Sequence, residues 1–493
     1  MLFNSVDFLF FFPAVTLVYF ALPHRVRYLW LLVCSYYFYM CWNAAYALLL
    51  LASTIITWLS GLAIDACKRK DDALRAQGMV AISFTLNLAI LAIFKYAGFI
   101  IENLNLLLGR FGASFALPKW DLLLPVGISF YIFQALSYTV DVYRGDVRVE
   151  RNPLRYAVFV AFFPQLVAGP IERSSRLLAQ FCEKVRFDHD RVIRGLMMML
   201  WGYFQKMVVA DRLAVFVTQV FDHYADYTGL PVLVACVFFA FQIYCDFAGY
   251  SCIAVGAAQV MGFDLMENFR QPYLAASIAD FWRRWHISLT SWFRDYLYIP
   301  LGGNRKGRLT KYRNLMIVFL TSGLWHGANW TYVIWGGLNG LFQIAGELLR
   351  PIRAEIRGCL RWDGGSRAGR LLSVLVTFAL VDFTWIFFRA DTPAAAFDMI
   401  RRLFSGFRLS PIRDGSLFSM GMSGLEFALA LAGIGLLLGV DAAHERGIGI
   451  RDWILAQDLS LRWTICIAAI LAVLIFGYYG PNYNAAQFIY FQF

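Results

Sequence analysis

The sequence predicts an all-α polytopic membrane protein, and three observations carry that prediction. Of its 493 residues, 60% are hydrophobic and 17% aromatic, whereas ordinary soluble domains sit at about 45–50% apolar. Apolar blocks of about 17–30 residues recur from one end to the other, each long enough to cross a bilayer core. Between them the charge is mostly basic, with a net +11 from 44 Lys and Arg against 33 Asp and Glu. In a soluble protein that excess would suggest nucleic acid. Between apolar blocks it reads as cytoplasmic loops following the positive-inside rule, with no nucleic-acid partner. The nine cysteines lie mostly inside apolar blocks, such as Cys34, Cys41, Cys236 and Cys466, with no CxxC or CxxH pairing. Neither a disulfide framework nor a zinc site is predicted.

Taken in chain order, the first block, VDFLFFFPAVTLVYFAL, lacks a basic leader and a cleavage site, and is predicted to be a retained span. Basic residues at 24–27 separate the first two spans, and the connection at 42–45 carries no charge. Lys68, Arg69 and Lys70 with Arg75 follow the third span, the 109–120 link carries only Arg110 and Lys119, and basic residues at 144–155 follow the fifth. The alternation places the N-terminus outside the cell and the basic loops in the cytoplasm. Residues 156–171, YAVFVAFFPQLVAGPI, are broken by Pro164 and Pro170 and are predicted as a re-entrant segment. A span at 195–221 leads to the acidic DHYADYT, and 231–262 returns inward. Spans at 371–389, 424–440 and 463–480 complete about ten to twelve transmembrane helices, with the Gly/Arg-rich 362–370 as the most linker-like stretch. The whole chain, 1–493, reads as one integral-membrane domain: N-terminal helices 1–150, a core 151–350, and C-terminal helices 351–493.

Two stretches of the core hold its chemistry. DFWRRWHISLTSWFRDYLYIP (280–300) is too polar for a span. On a helical wheel Phe281, Trp282, Trp285, Leu289, Trp292, Phe293 and Tyr296 share an arc of about 120°, while Arg283, Arg284, Arg294 and Asp295 lie outside it. This predicts one amphipathic helix at the membrane interface, ended by Pro300, Gly302 and Gly303, with His286 at the edge of the apolar arc. Residues 315–346 carry no Lys, Arg, Asp or Glu and are bracketed by basic clusters (Arg305, Lys306, Arg308, Lys311, Arg313; Arg350, Arg353, Arg357). If both clusters are cytoplasmic, the segment enters and leaves on one side, as a hairpin turning at WHGAN; one long tilted helix is the competing reading. Either places His326 about 18 Å from the basic flank, near mid-bilayer.

A histidine at that depth is a functional-site candidate by default, against the plainer reading of a buried structural ring. Gly323, Gly327 and Ala328 would let another chain or a ligand approach, and Trp325 and Trp330 would wall a pocket. His286 reads equally well as a boundary residue bonded to a neighbour. With six histidines and no HxxxH or HExxH, a metal centre is not predicted. There is no GxSxG elbow and no Walker loop; GGNRKG reads as a topogenic basic loop, in which Arg305, Lys306 and Arg308 would also attract an anionic donor. Nothing nearby in sequence would activate Cys245 or Cys252 as nucleophiles.

The pair DFWRRWHISLTSWFRDYLYIPLGGNRKG and SGLWHGANWTYVIWGGLNG resembles the signature region of the membrane-bound O-acyltransferases. LLPVGISFYIFQALSYTVDVYRGD, FFPQLVAGPIERSSRLLAQF, DFAGYSCIAVGAAQVMGFDLMENFRQPYLA and GYYGPNYNAAQFIYFQF are similar to the bacterial polysaccharide branch of that family. The resemblance implies a funnel-shaped helical bundle in the bacterial inner membrane, crossed by a tunnel. It implies His326 as the family's catalytic histidine and His286 as the second signature position, often Asn in eukaryotic members. Trp285, Trp325, Asn329, Asp246 and Tyr250 become candidates for lining the substrate tunnel, while Cys252 stands where an acidic residue is expected. It further implies acetyl transfer from cytoplasmic acetyl-CoA, a co-substrate rather than a bound cofactor, to an extracytoplasmic polysaccharide, alginate first, through an extracytoplasmic partner protein. His326 would act as general base, and His286 would orient the donor or stabilise developing negative charge. Alternatives are D-alanyl transfer from a carrier protein to teichoic acid and a non-catalytic transport or scaffold subunit.

Overall fold

The computed structural model describes residues 1–112, 115–118, 120, 122–359, 366–479 and 489. Lys119, the side chain of Arg357, residues 362–365 of the 362–370 linker and most of the C-terminal motif lie outside the described residues. Among the described residues every regular element is helical. Six helices of the described residues are long and apolar enough to cross a membrane: Tyr46–Arg69, Ala73–Arg110, Leu230–Met261, Arg367–Arg389, Gly424–Glu445 and Leu459–Phe476. Val6–Ala21 is apolar and has 16 residues. Other predicted spans form helices that are shorter or interrupted. His24–Met40 and Ile128–Arg144 have 17 residues each, and the 195–221 stretch lies in a helical run, His189–Tyr203, Phe204–Ala210 and Asp211–Asp222, whose middle segment is a wide π turn.

Contacts divide the chain into two compact units, one of Met1–Met199 with Ile253–Met266 and one of Leu200–Cys252 with Glu267–Phe493. The boundaries at 199/200 and 252/253 fall inside helices, and the one at 266/267 falls in a loop. In the first unit, the 156–171 stretch forms helices Pro153–Ala161 and Phe163–Leu166, of nine and four residues, broken at Phe162. Neither is long enough to cross a bilayer, and every residue from 156 to 172 is buried.

The second unit contains the hairpin. We label its arms α1 (Arg308–His326) and α2 (Trp330–Leu348), 19 residues each, or about 28 Å long. They are joined by Gly327, Ala328 and Asn329, so the stretch turns at WHGAN rather than running on as one helix. Its glycines explain the fit. A Cβ added at Gly323 would strike the Tyr332 carbonyl, one at Gly336 the Phe319 carbonyl, and one at Gly327 the Tyr332 ring. Small residues here let two backbones meet. The close approach expected at Gly323 and Gly327 is thus taken up by the opposite arm, not by a separate chain or ligand.

The predicted single helix over 280–300 is not continuous. Ile278–Arg284 ends, Trp285 is extended, His286 takes left-handed φ 44° and ψ 54°, and Ile287–Phe293 begins a second helix. The apolar arc survives the break, since Phe281, Trp282, Trp285, Leu289, Trp292 and Phe293 are all buried. What interrupts it is a loop from earlier in the chain. The Arg270 amide donates to the Arg284 carbonyl (2.9 Å) and the Ile287 amide donates to the Asn268 carbonyl (2.9 Å), using groups that a continuous helix would pair internally.

Candidate active site

His326 is the last residue of α1, and its orientation is set by its own helix. Its Nδ1 lies 2.6 Å from the Ser322 carbonyl, one turn back. A carbonyl only accepts, so Nδ1 carries the proton and Nε2 is the lone-pair nitrogen. Asn329 fixes the start of α2, its Oδ1 accepting from the Thr331 amide (3.0 Å) and its Nδ2 donating to the Asp391 carbonyl (2.8 Å). Both ends of the Asn329 amide are therefore engaged in holding the turn.

His286 and His326 come together although 40 residues apart in number, with ring centroids 6.5 Å apart and planes at 79°. Both are buried, at 1% and 3% exposure. Trp325 faces both rings, 4.9 Å from His326 and 6.0 Å from His286. Trp335 at 4.8 Å and Phe388 at 5.5 Å complete the surroundings of His326, and Phe247 packs edge-on against His286 at 4.7 Å. Trp285 stands farther off, linked to His326 through Trp385 (5.1 Å) and Trp335 (5.7 Å onward). Trp330, expected to wall the pocket, is instead 52% exposed, because it opens α2 on the outer face of the turn.

Asp246 and Tyr250 lie one turn apart in Leu230–Met261, both buried. Asp246 belongs to a charged triad rather than to the histidine cluster. Its Oδ1 is 2.6 Å from Lys206 Nζ, which also meets Asp211 at 2.7 Å, and its Oδ2 accepts from the Ile489 amide at 2.9 Å. The π turn at 204–210 brings Lys206 and Asp211, five residues apart, into contact. Gly249 lets the two segments close, since a Cβ there would meet the Gly202 carbonyl at 2.7 Å. Arg305 and Lys306 are exposed on a loop, and Arg308 at the first position of α1; the loop is pinned by Asn314, whose Nδ2 donates to the carbonyls of Leu301 (3.2 Å) and Gly303 (3.0 Å).

Sequence reasoning missed Phe247, Trp335 and Phe388, which read as ordinary apolar positions, and Lys206, for which a cation inside an apolar run was an available signal.

The model of the membrane-bound O-acyltransferase family matches residues 145–358, the stretch that contains both histidines and the hairpin. Over 510 residues, covering 100% of both chains, the sequence is 38% identical to the probable alginate O-acetylase AlgI of Pseudomonas putida. The chain belongs to the membrane-bound O-acyltransferase family. It is 40% identical over 441 residues to the probable alginate O-acetylase AlgI of Pseudomonas aeruginosa, covering 88% of this chain and 82% of that one. It is 34% identical over 433 residues to the peptidoglycan O-acetyltransferase of Helicobacter pylori, covering 81% and 79%. This membrane-bound O-acyltransferase is accordingly an enzyme of the acyl-transfer class with several membrane-crossing helices.

Proposed function

We propose that this acyltransferase takes an acetyl group from cytoplasmic acetyl-CoA and delivers it for O-acetylation of an extracytoplasmic polysaccharide, with alginate the first candidate. It works in the bacterial inner membrane with its N-terminus outside, beside an extracytoplasmic partner that handles the polymer. The observation carrying the chemistry is the buried histidine pair, with His326 held so that Nε2 is its basic nitrogen. In the transfer step the acceptor hydroxyl gives its proton to His326 Nε2 as its oxygen attacks the thioester carbonyl. The C–S bond then breaks, and the departing thiolate is protonated from the imidazolium, restoring neutral His326. His286 orients the donor or stabilises the negative charge that develops. Arg305, Lys306 and Arg308 draw the anionic donor to the membrane surface. The alginate assignment is supported by the similarity to the probable alginate O-acetylases of Pseudomonas.

Purified protein supplied separately with labelled acetyl-CoA and with a D-alanyl carrier protein tests the donor. Acetyl transfer alone is expected, and D-alanyl transfer alone would overturn the reading. The acetyl content of surface polysaccharides with and without the protein identifies the acceptor. A well-inserted His326→Gln protein that supports wild-type acetylation would show a transport or scaffold subunit instead.

A further inference from the structure

We infer that Asn268 is a positioning residue that presents the His286 ring as a proton acceptor to the bound substrates. The inference rests on the reading of His286 as a site residue and assigns it one of the two roles left open above. Asn268 is buried in the loop that interrupts the 280–300 helix. Its Oδ1 accepts from the Ser288 amide (3.3 Å) and the Ser288 hydroxyl (2.7 Å), and its Nδ2 donates to Ser251 Oγ (3.2 Å). A backbone N–H can only donate, so the atom facing Ser288 is the amide oxygen, and the orientation of the amide is fixed. That same oxygen lies 3.3 Å from His286 Nδ1. Nδ1 therefore carries the proton, and Nε2 of the neutral ring is an acceptor.

The backbone agrees with the side chain. His286 sits at φ 44°, which is uncommon for a residue other than glycine, and the Asn268 carbonyl and Arg270 amide clamp the chain on either side of it. A neutral ring held in this way accepts an N–H or O–H from the donor or the acceptor alcohol. It cannot donate to a developing oxyanion from Nε2. Of the two roles, the geometry points to orientation rather than charge stabilisation.

Substitution of Asn268 in the full-length membrane enzyme, assayed with labelled acetyl-CoA, tests this. Asn268→Leu removes the acceptor and is expected to lower kcat by about tenfold or more, with KM for the donor within about twofold. Asn268→Asp keeps the oxygen but sets a carboxylate against the ring. Of the rings packed against His286, that of His326 is titratable, while those of Phe247 and Trp325 are uncharged. The added carboxylate favours the protonated ring, so the acid limb of the pH–rate profile should move up by about one unit or more, with most of kcat recovered above it. Wild-type kcat in Asn268→Leu would overturn the inference. So would an Asn268→Asp profile that is unmoved or moved the other way, because a merely structural Asn268 leaves that limb in place. His286→Asn separates this from the site reading. If His286→Asn is fully active, the role of His286 fails and the inference with it. If it is inactive while Asn268→Leu is normal, only the positioning fails.

Discussion

The two histidines reach one buried cluster of rings by different means. His326 is oriented locally, by the carbonyl of Ser322 one turn earlier, at the end of a hairpin arm sealed by Gly323 and Gly336. His286 is oriented by a residue 18 positions earlier, at a break that the intruding loop creates. The local device needs only an intact helix end. The distant one needs the whole fold in place, and so it is exposed to substitutions that never touch the ring.

Substitutions can break or sharpen that contrast. The largest loss is expected at His326 itself. His326→Gln should lower transfer by about 10²–10⁴-fold without preventing membrane insertion, as measured by turnover per unit of membrane-extracted protein. Next is His286→Asn, in which asparagine tolerates the left-handed backbone. It removes the imidazole without forcing the chain out of shape, and should cost about tenfold to a hundredfold in kcat at unchanged thermal stability. Gly336→Leu attacks the local device from the opposite arm. Its side chain meets the Phe319 carbonyl, and overpacking of this kind costs about 1–3 kcal/mol, read as a lowered unfolding temperature in detergent. Ser288→Ala removes one hydrogen bond to Asn268, worth about 0.5–1.5 kcal/mol. It should reduce kcat a few-fold, while the equivalent change on the His326 side has no counterpart, since a main-chain carbonyl cannot be mutated away. The smallest effect is expected far from both rings. Neutralising Arg305, Lys306 and Arg308 should raise KM for an anionic donor modestly, and the difference should vanish at high salt.

The same contrast explains what was legible in the sequence. The hairpin announced itself because charge disappears between Leu315 and Gly346 while basic residues flank both sides. His326 could be picked out for the same reason. The break at His286 left no mark, because Phe281, Trp282, Trp285, Leu289, Trp292 and Phe293 keep helical spacing across it and are buried on both sides. Tertiary hydrogen bonds overrode a pattern that the helix period alone could not question. Hydropathy was similarly silent about depth in the bundle. Leu230–Met261 and Ala73–Arg110 have the same mean hydropathy, yet 83% of the apolar stretch is buried in the first and 11% in the second. The distinguishing residues are small or polar. Asp246, Gly249, Ser251 and Gly256 would be wasted on lipid, and Gly256 lies so close to the Gly195 carbonyl that a Cβ would meet it at 2.6 Å. Asn329 shows the converse: its place in a signature motif drew attention, and its amide is engaged in the turn.

The triad of Lys206, Asp211 and Asp246 has a consequence for how the chain is made. Lys206 and Asp211 pair within a single helical run, so Lys206 meets a carboxylate on its own segment before the next helix is made. Asp246 lies on the following helix, and its cation is on the preceding one. A lone carboxylate at a helix centre costs about 3 kcal/mol to insert. The second helix is therefore stabilised only while the first waits beside it. Insertion of the second segment is expected to depend on the first, so Lys206→Met should be seen first as misinserted or degraded protein, before any assay of acyl transfer begins.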